Sequence, residues 1–229
     1  MELTMYDKLL LLPLFQGLCK SDLTHILEKV KLEFTAYQPG EYLIRQGDTC
    51  NRLLFLLEGE MVAESVDEAN SFVLSEQLQS PYIIEPYSLY GMHTTYTASY
   101  IAESAVSTLS IDKGYVLTEL SRYPIFRLNF LNLLSNRVQN IRRKLWHTHI
   151  GDVREKVVNF LLLRCERPAG RKVLRVRMED LAGLINETRL NVSKVLNDYQ
   201  SRSLVELSRK EILIHDLDSL VNDRPPAEG

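Results

Sequence analysis

MEDLAGLINETRLNVSKVLNDYQSRSLV, residues 178–205, reads as two short helices meeting at a sharp angle. The first is expected over Met178 to Leu184, with Leu181, Leu184 and Ile185 at helical spacing. Asn186 and Glu187 supply the turn. Thr188 stands where an N-cap belongs, its hydroxyl free to accept a backbone N–H. In the second helix Leu190, Val192, Val195, Leu196 and Tyr199 give a mostly buried stripe, while Arg189, Asn191, Lys194 and Asp198 stay polar. Exposed Arg, Asn and Lys at the start of a helix suit the major groove, because Arg and Lys donate to guanine and Asn pairs with adenine. An ordinary pair of antiparallel helices with solvated polar residues would share this pattern.

The segment that follows separates the two readings. Leu204-Val205-Glu206-Leu207 reads as a strand, Ser208-Arg209-Lys210-Glu211 as a turn, and Ile212-Leu213-Ile214-His215 as the return strand. Helix, turn, helix and a small β-hairpin with a basic tip make a winged helix. The stretch resembles the DNA-binding domain of the Crp/Fnr family of bacterial transcription regulators. Ala182 is small as in that family, and Arg189, Asn191 and Lys194 fall where its members place base-reading residues.

Composition agrees with a soluble globular protein of one large or two modest domains: 229 residues, 45% of them hydrophobic. No apolar run approaches the roughly 18 residues of a membrane span. Leu9 to Phe15 is apolar but has no basic leader or cleavage site, so no secretory signal is expected. Cys19, Cys50 and Cys165 are scattered singly, which leaves no disulfide framework and points to a reducing cytoplasm. Net charge is −3, yet the charge is unevenly spread. Residues 1–148 carry 13 Lys and Arg against 17 acids, whereas residues 164–210 carry 11 against 6. The basic density coincides with the two-helix stretch.

Upstream, residues 3–30 look helical, interrupted at Pro13, with Ser21-Asp22 as a capping signal. From Lys31 the period becomes two. Strands are expected around Phe34, Tyr42–Ile44, Leu53–Leu57, Met61–Ala63, Phe72–Leu78, Tyr82–Ile84 and Ser99–Ile111. Short strands at this spacing indicate a sandwich or barrel. The run from Pro39-Gly40-Glu41 to Gly47-Asp48, followed by Leu54-Phe55-Leu56-Leu57 and Gly59, resembles the β-roll of cyclic-nucleotide-binding domains. A short helix is expected over Gly114–Ser121 and a long one from Pro124 to about His147. In the latter Leu131, Leu134, Val138, Ile141 and Leu145 advance by threes and fours, a heptad seam. Such a seam suits a helix packed on its own domain or, as the family resemblance implies, a dimerisation helix. Another helix is expected over Asp152–Arg164, then a loop over Arg167–Arg171, a strand at Val173–Val176, a last helix near Leu217–Val221, and a disordered tail.

The fold class expected is therefore α+β. It comprises a sensory β-roll over residues 1–122, a dimerisation helix over 123–148, a winged helix-turn-helix over 149–222 and a tail over 223–229. The sensory pocket is where the resemblance weakens. In cyclic-AMP-binding members a Gly-Glu pair binds the ribose and an Arg-Ser pair the cyclic phosphate. Here Glu85 stands at the Gly position, Pro86 at the Glu position, and Tyr96-Thr97-Ala98 at the Arg-Ser-Ala position. No arginine lies between Arg52 and Arg122. A buried phosphate without a cationic partner is costly, so cyclic AMP is not expected as the effector. Tyr82, Tyr87, Tyr90, Tyr96 and Tyr100 crowd the same segment. They frame a pocket for another small molecule, with Tyr87, Tyr90, Tyr96 and Thr97 as its candidate residues, or they fill a vestigial one. His93 alone is a poor haem signal, and two N-terminal cysteines cannot hold an iron–sulfur cluster within one chain. No cofactor, metal site or catalytic residue is expected.

The resemblance thus implies a cytoplasmic, homodimeric transcription regulator on a two-fold-related operator, with RNA polymerase as a further partner. Arg189, Asn191 and Lys194 would meet base edges, and Thr188, Arg209 and Lys210 phosphates. Leu190 stands where relatives commonly carry a glutamate that accepts from cytosine. Leucine can only touch a thymine methyl, so the half-site should differ. Two rivals belong to other classes. A cupin-like metal enzyme would need clustered histidines, and the chain offers only His93 in the β-region with His147 and His149 far along it. A ligand-binding module that has lost DNA binding would not need Arg189 and Lys194.

Overall fold

The computed structural model describes residues 5–69, 71–146 and 151–223. The chain falls into two compact units: Met1–Val62 with Leu78–Val138, and Ala63–Gln77 with Gln139–Gly229. The architecture is α+β. In the first unit α1 (Met5–Leu11) and α2 (Lys20–Lys29) precede the strands. The apolar run of residues 9–15 is core: Leu9, Leu12, Leu14 and Phe15 are buried, and Phe15 packs its ring on Phe55 and Phe126 at 5.8 and 5.6 Å. The start of α2 differs from expectation. Cys19 is the N-cap and makes no side-chain cap, so Ser21 and Asp22 lie inside the first turn.

The strands are β1 (Leu32–Tyr37), β2 (Tyr42–Ile44), β3 (Arg52–Glu58), β4 (Glu60–Val66), β5 (Phe72–Gln79), β6 (Tyr82–Ile84), β7 (Ser99–Ala102) and β8 (Val106–Asp112). One sheet runs β1-β8-β3-β6, all antiparallel, and β2 pairs with β7. Residues 53–56 of β3 are buried on both faces, which is why the alternating period disappears there. Gly59, at φ +93°, turns the chain from β3 into β4. A Cβ there would stand 2.4 Å from the Ala105 carbonyl oxygen. The single strand expected over Ser99–Ile111 is two, β7 and β8. They are broken at Glu103-Ser104-Ala105, whose first two N–H groups bond to the Glu60 carbonyl instead of continuing a ladder. α3 (Lys113–Thr118) is capped by Asp112, and α4 spans Pro124–Trp146. The expected contributions of His147 and His149, and the tail beyond Asp223, lie outside the described residues.

The second unit is built from α5 (Val153–Arg164), β9 (Lys172–Val176), α6 (Met178–Leu184), α7 (Arg189–Ser201), β10 (Val205–Ser208), β11 (Glu211–Ile214) and α8 (Leu217–Asn222). Its core gathers Phe160, Leu161, Leu181, Leu196, Tyr199 and Ile214, among others. Asp152, Thr188 and Asp216 cap α5, α7 and α8 by accepting backbone N–H groups. Within this unit the strands run in the order β10-β11-β9-β5. β5 joins through Phe72–Glu76 against Val176–Lys172. A buried ion pair pins this pairing: Lys172 Nζ lies 3.3 Å from Glu76 Oε1 and donates to the carbonyls of Ala169 and Gly170. Glu76 also accepts from the backbone N–H groups of Glu166 and Arg167 at 2.7 and 2.8 Å.

Candidate nucleic-acid interface

α6 and α7 are the two helices expected from residues 178–205. Asn186 takes a left-handed conformation, φ +54°, and the Glu187 N–H returns to the Ala182 carbonyl, which turns the chain between them. The Thr188 hydroxyl accepts from Asn191 N–H at 3.2 Å. Leu181, Ala182, Val192, Leu196 and Tyr199 face the core, so the opposite side of α7 is forced outward.

That outward side carries Arg189, Leu190, Lys194 and Asn197, all exposed. Leu190, Lys194 and Asn197 follow one another by four and three and share a face. Leu190 is 65% exposed, an unusual place for a leucine unless something covers it. Arg189 reaches Glu179 of α6 at 3.3 Å, an ion pair between groups each 67% exposed. Such a contact holds a side chain loosely, at about 0–1 kcal/mol, and gives way to a phosphate or base. Asn191 sits differently. It is half-buried, and its amide leans back toward Glu187 at 3.4 Å. In the hairpin that follows α7 the register pairs Ser208 with Glu211, leaving Arg209 and Lys210 as a two-residue turn. Lys210 has φ +63°, and both side chains are exposed. Among the described residues no carboxylate pairs with Lys194, Arg209 or Lys210.

Sequence reasoning missed what holds α7 in place. α5 braces it at both ends. Lys156 reaches Glu187, just ahead of the helix, at 2.6 Å. Arg154 reaches Asp198, near its far end, at 2.7 Å, and Arg202 joins at 3.4 Å. The Lys156 hydrogen bond, then that of Asn191, holds the Glu187 carboxyl below its ordinary range, and the Arg154 hydrogen bond does the same for Asp198. The partners lie 31 and 44 residues apart, so no local pattern announced them. Asn197 was also missed, though its spacing from Lys194 was there to read.

The candidate pocket residues lie in the first unit. Tyr96 is buried and donates its hydroxyl to the Arg52 carbonyl; burial pushes its phenol far above the ordinary range. Tyr90 donates to the Lys113 carbonyl and meets Phe130 edge-on. Tyr87 lies under the Arg137 guanidinium at 5.0 Å. Thr97 donates both its N–H and its hydroxyl to Glu85. His93 is exposed, and no group of three or more His, Cys, Asp or Glu able to hold a metal occurs among the described residues.

Comparison with known proteins places both units. Family models described as a cyclic nucleotide-binding domain and a Crp-like helix-turn-helix domain match residues 34–123 and 155–222. The chain is 25% identical over 177 residues to the global nitrogen regulator of Synechocystis sp., covering 74% of this chain and 79% of the relative. It is 22% identical over 219 residues to the CRP-like cAMP-activated global transcriptional regulator of Mycobacterium tuberculosis, covering 90% and 94%. Its fold matches that of the c-di-GMP-responsive global regulator CLP of Xanthomonas campestris with a TM-score of 0.51 at 19% identity, covering 86% and 99%. With the two models in this order, and an outward helix face followed by a basic wing, the chain belongs to the Crp/Fnr family and is a DNA-binding transcription regulator of that type.

Proposed function

We propose that the protein acts in the cytoplasm as a homodimer on a two-fold-related operator, without enzymatic activity and in partnership with RNA polymerase. Its working parts are a sensory domain over residues 1–122, a dimerisation helix over 123–148 and a DNA-binding domain over 149–222. The observation that carries this reading is the outward face of α7. Lys194, Leu190 and Asn197 are exposed there, and the loosely held Arg189 lies at the same end. We place Arg189, Lys194 and Asn197 on base edges, Leu190 on a thymine methyl, and Thr188, Arg209 and Lys210 on phosphates. Asn191 reaches a base only if it releases Glu187.

The dimer reading rests on α4. Leu131, Val138, Ile141 and Leu145 are exposed along one heptad stripe, with Leu134 half-buried among them. A single chain leaves that stripe in water, and a second copy of the same helix would cover it. Two measurements test the proposal. A gel shift on the protein's own upstream region, against a scrambled duplex, should show selective binding. Sedimentation should show a dimer that Val138→Asp with Ile141→Asp converts to monomer; an unchanged dimer would place the interface elsewhere. The effector, if one is used, is not cyclic AMP on this reading, because no arginine stands near Thr97 in the sequence.

A further inference from the structure

Glu85 is a buried carboxylate, 1% exposed, held in a left-handed conformation at φ +35°. That conformation is disfavoured for any residue with a Cβ and persists only where the surroundings enforce it. Here they do so through the carboxylate. It accepts from the Thr97 N–H at 3.0 and 2.9 Å, the Thr97 hydroxyl at 3.0 Å and the Ala98 N–H at 3.1 Å. The Tyr100 hydroxyl donates at 3.1 Å and the Ser88 hydroxyl at 2.9 Å. Among the described residues no Lys, Arg or His makes an ion pair with it. The side-chain donors, Thr97, Tyr100 and Ser88, are neutral hydroxyls. Two successive backbone N–H groups and three hydroxyls converging on one point form a nest for an oxyanion.

The donors Thr97 and Ala98 belong to the segment that the family resemblance puts at the phosphate-binding position of cyclic-nucleotide-binding domains, and that domain's family model covers the segment. We propose that Glu85 is a built-in anionic ligand. Its carboxylate fills the nest that would otherwise take the phosphate of a diffusible nucleotide, and it keeps the sensory unit in its occupied form without one. The assignment of the segment rests on the family reading; the filled nest itself does not. The strained backbone follows from the same cause, since residue 85 must fold back to bring its own side chain between its donors. A carboxylate saturates the same lone-pair-seeking N–H and O–H groups that a phosphate would, which removes them from competition.

The test empties the nest. Glu85→Gly accepts the left-handed backbone and leaves the donors unpaired. The variant should melt roughly 5–10 °C below the wild type, from several buried donors left unsatisfied. Acetate or inorganic phosphate, added at constant ionic strength against chloride, should raise its midpoint while leaving that of the wild type unmoved. A variant that melts like the wild type, or one that no oxyanion restores, overturns the proposal. Calorimetry on the unaltered protein supplies a readout that does not depend on the variant folding. Cyclic AMP and cyclic GMP should give no binding heat, and binding of either would show that Glu85 does not hold the nest. None of these readouts involves DNA, so their failure and a failure to bind an operator are separate results.

Discussion

Two buried glutamates, one in each unit, satisfy the same physical demand in different ways. Glu76 takes a cation, Lys172, together with two backbone N–H groups. Glu85 takes only neutral donors. A carboxylate removed from water needs several donors whichever way they are supplied, because desolvation alone costs several kcal/mol. The difference is in what each arrangement does. The Glu76 pair ties β5 to β9 of the wing sheet, and both its charges originate on the chain. The Glu85 nest presents donors that have no cation of their own, so an acid of any origin suits it. The first is a fastener; the second is a binding site that the chain itself occupies.

The comparison is sharpest where one partner is deleted. Lys172→Met leaves Glu76 buried with no cation, and should cost about 3–5 kcal/mol in denaturant unfolding of the intact chain. Glu76→Leu added to it should recover part of that loss, short of the whole because the N–H groups of Glu166 and Arg167 then lack an acceptor. The pH dependence has a definite sign. Burial pushes the Glu76 carboxyl above its ordinary 4.5, and Lys172 draws it back part of the way. Without the lysine it lies higher still. A carboxyl raised in the folded state costs stability once the pH exceeds its unfolded value. The deficit of Lys172→Met should therefore shrink as the pH is lowered toward 4.5. A deficit independent of pH would mean that Glu76 is not the group responsible.

At Glu85 the neutral isostere is the smaller perturbation. Glu85→Gln keeps the volume but turns an amide donor toward donors, and should cost about 1–3 kcal/mol. A loss as large as that of Lys172→Met would show that the two carboxylates are held in the same way. Smaller again is the effect of acid on the braces of α7. Glu187 and Asp198 are held below their ordinary 4.5 and 3.8 by Lys156 and Arg154. Carboxylates depressed in the folded state contribute stability above their unfolded values and lose it as pH falls through the folded ones. Urea midpoints of the wild type should therefore drop between about pH 5 and pH 3, and Arg154→Met with Lys156→Met should flatten that drop. An unchanged slope would assign acid sensitivity elsewhere.

Much of the DNA-binding half was legible because its signals are local. The Thr188 cap, the Asn186 turn and the alternation around the wing tip all operate within a few residues. The β-strands were legible for the same reason, except where Glu103–Ala105 interrupts what composition alone reads as one strand. What stayed hidden depends on partners far apart in the chain. Asn191 reads as a base contact until Glu187, itself placed by Lys156, claims its amide. β5 reads as one more strand of the β-region, yet it pairs with β9 about 100 residues away by the register Leu74 with Leu174. Glu85 reads as a lost ligand contact. Its donors lie 12–15 residues on and arrive only when the chain folds back at a left-handed residue, which no propensity assigns to glutamate.

On the proposed reading the outward face of α7 reads sequence while the wing anchors phosphate. A titration tests it, using wild type, Lys194→Ala and the double variant Arg209→Ala with Lys210→Ala. The targets are an operator selected from a random duplex pool and a scrambled duplex, each at several salt concentrations. Lys194→Ala should lose about 1–3 kcal/mol per half-site on the operator and less on the scrambled duplex, so that discrimination falls. The wing variant should lose affinity alike on both, and its dependence of log K on log salt should flatten by about one unit for each phosphate contact removed. Equal losses on both duplexes for Lys194→Ala, or a wing variant that loses discrimination instead, would contradict the account.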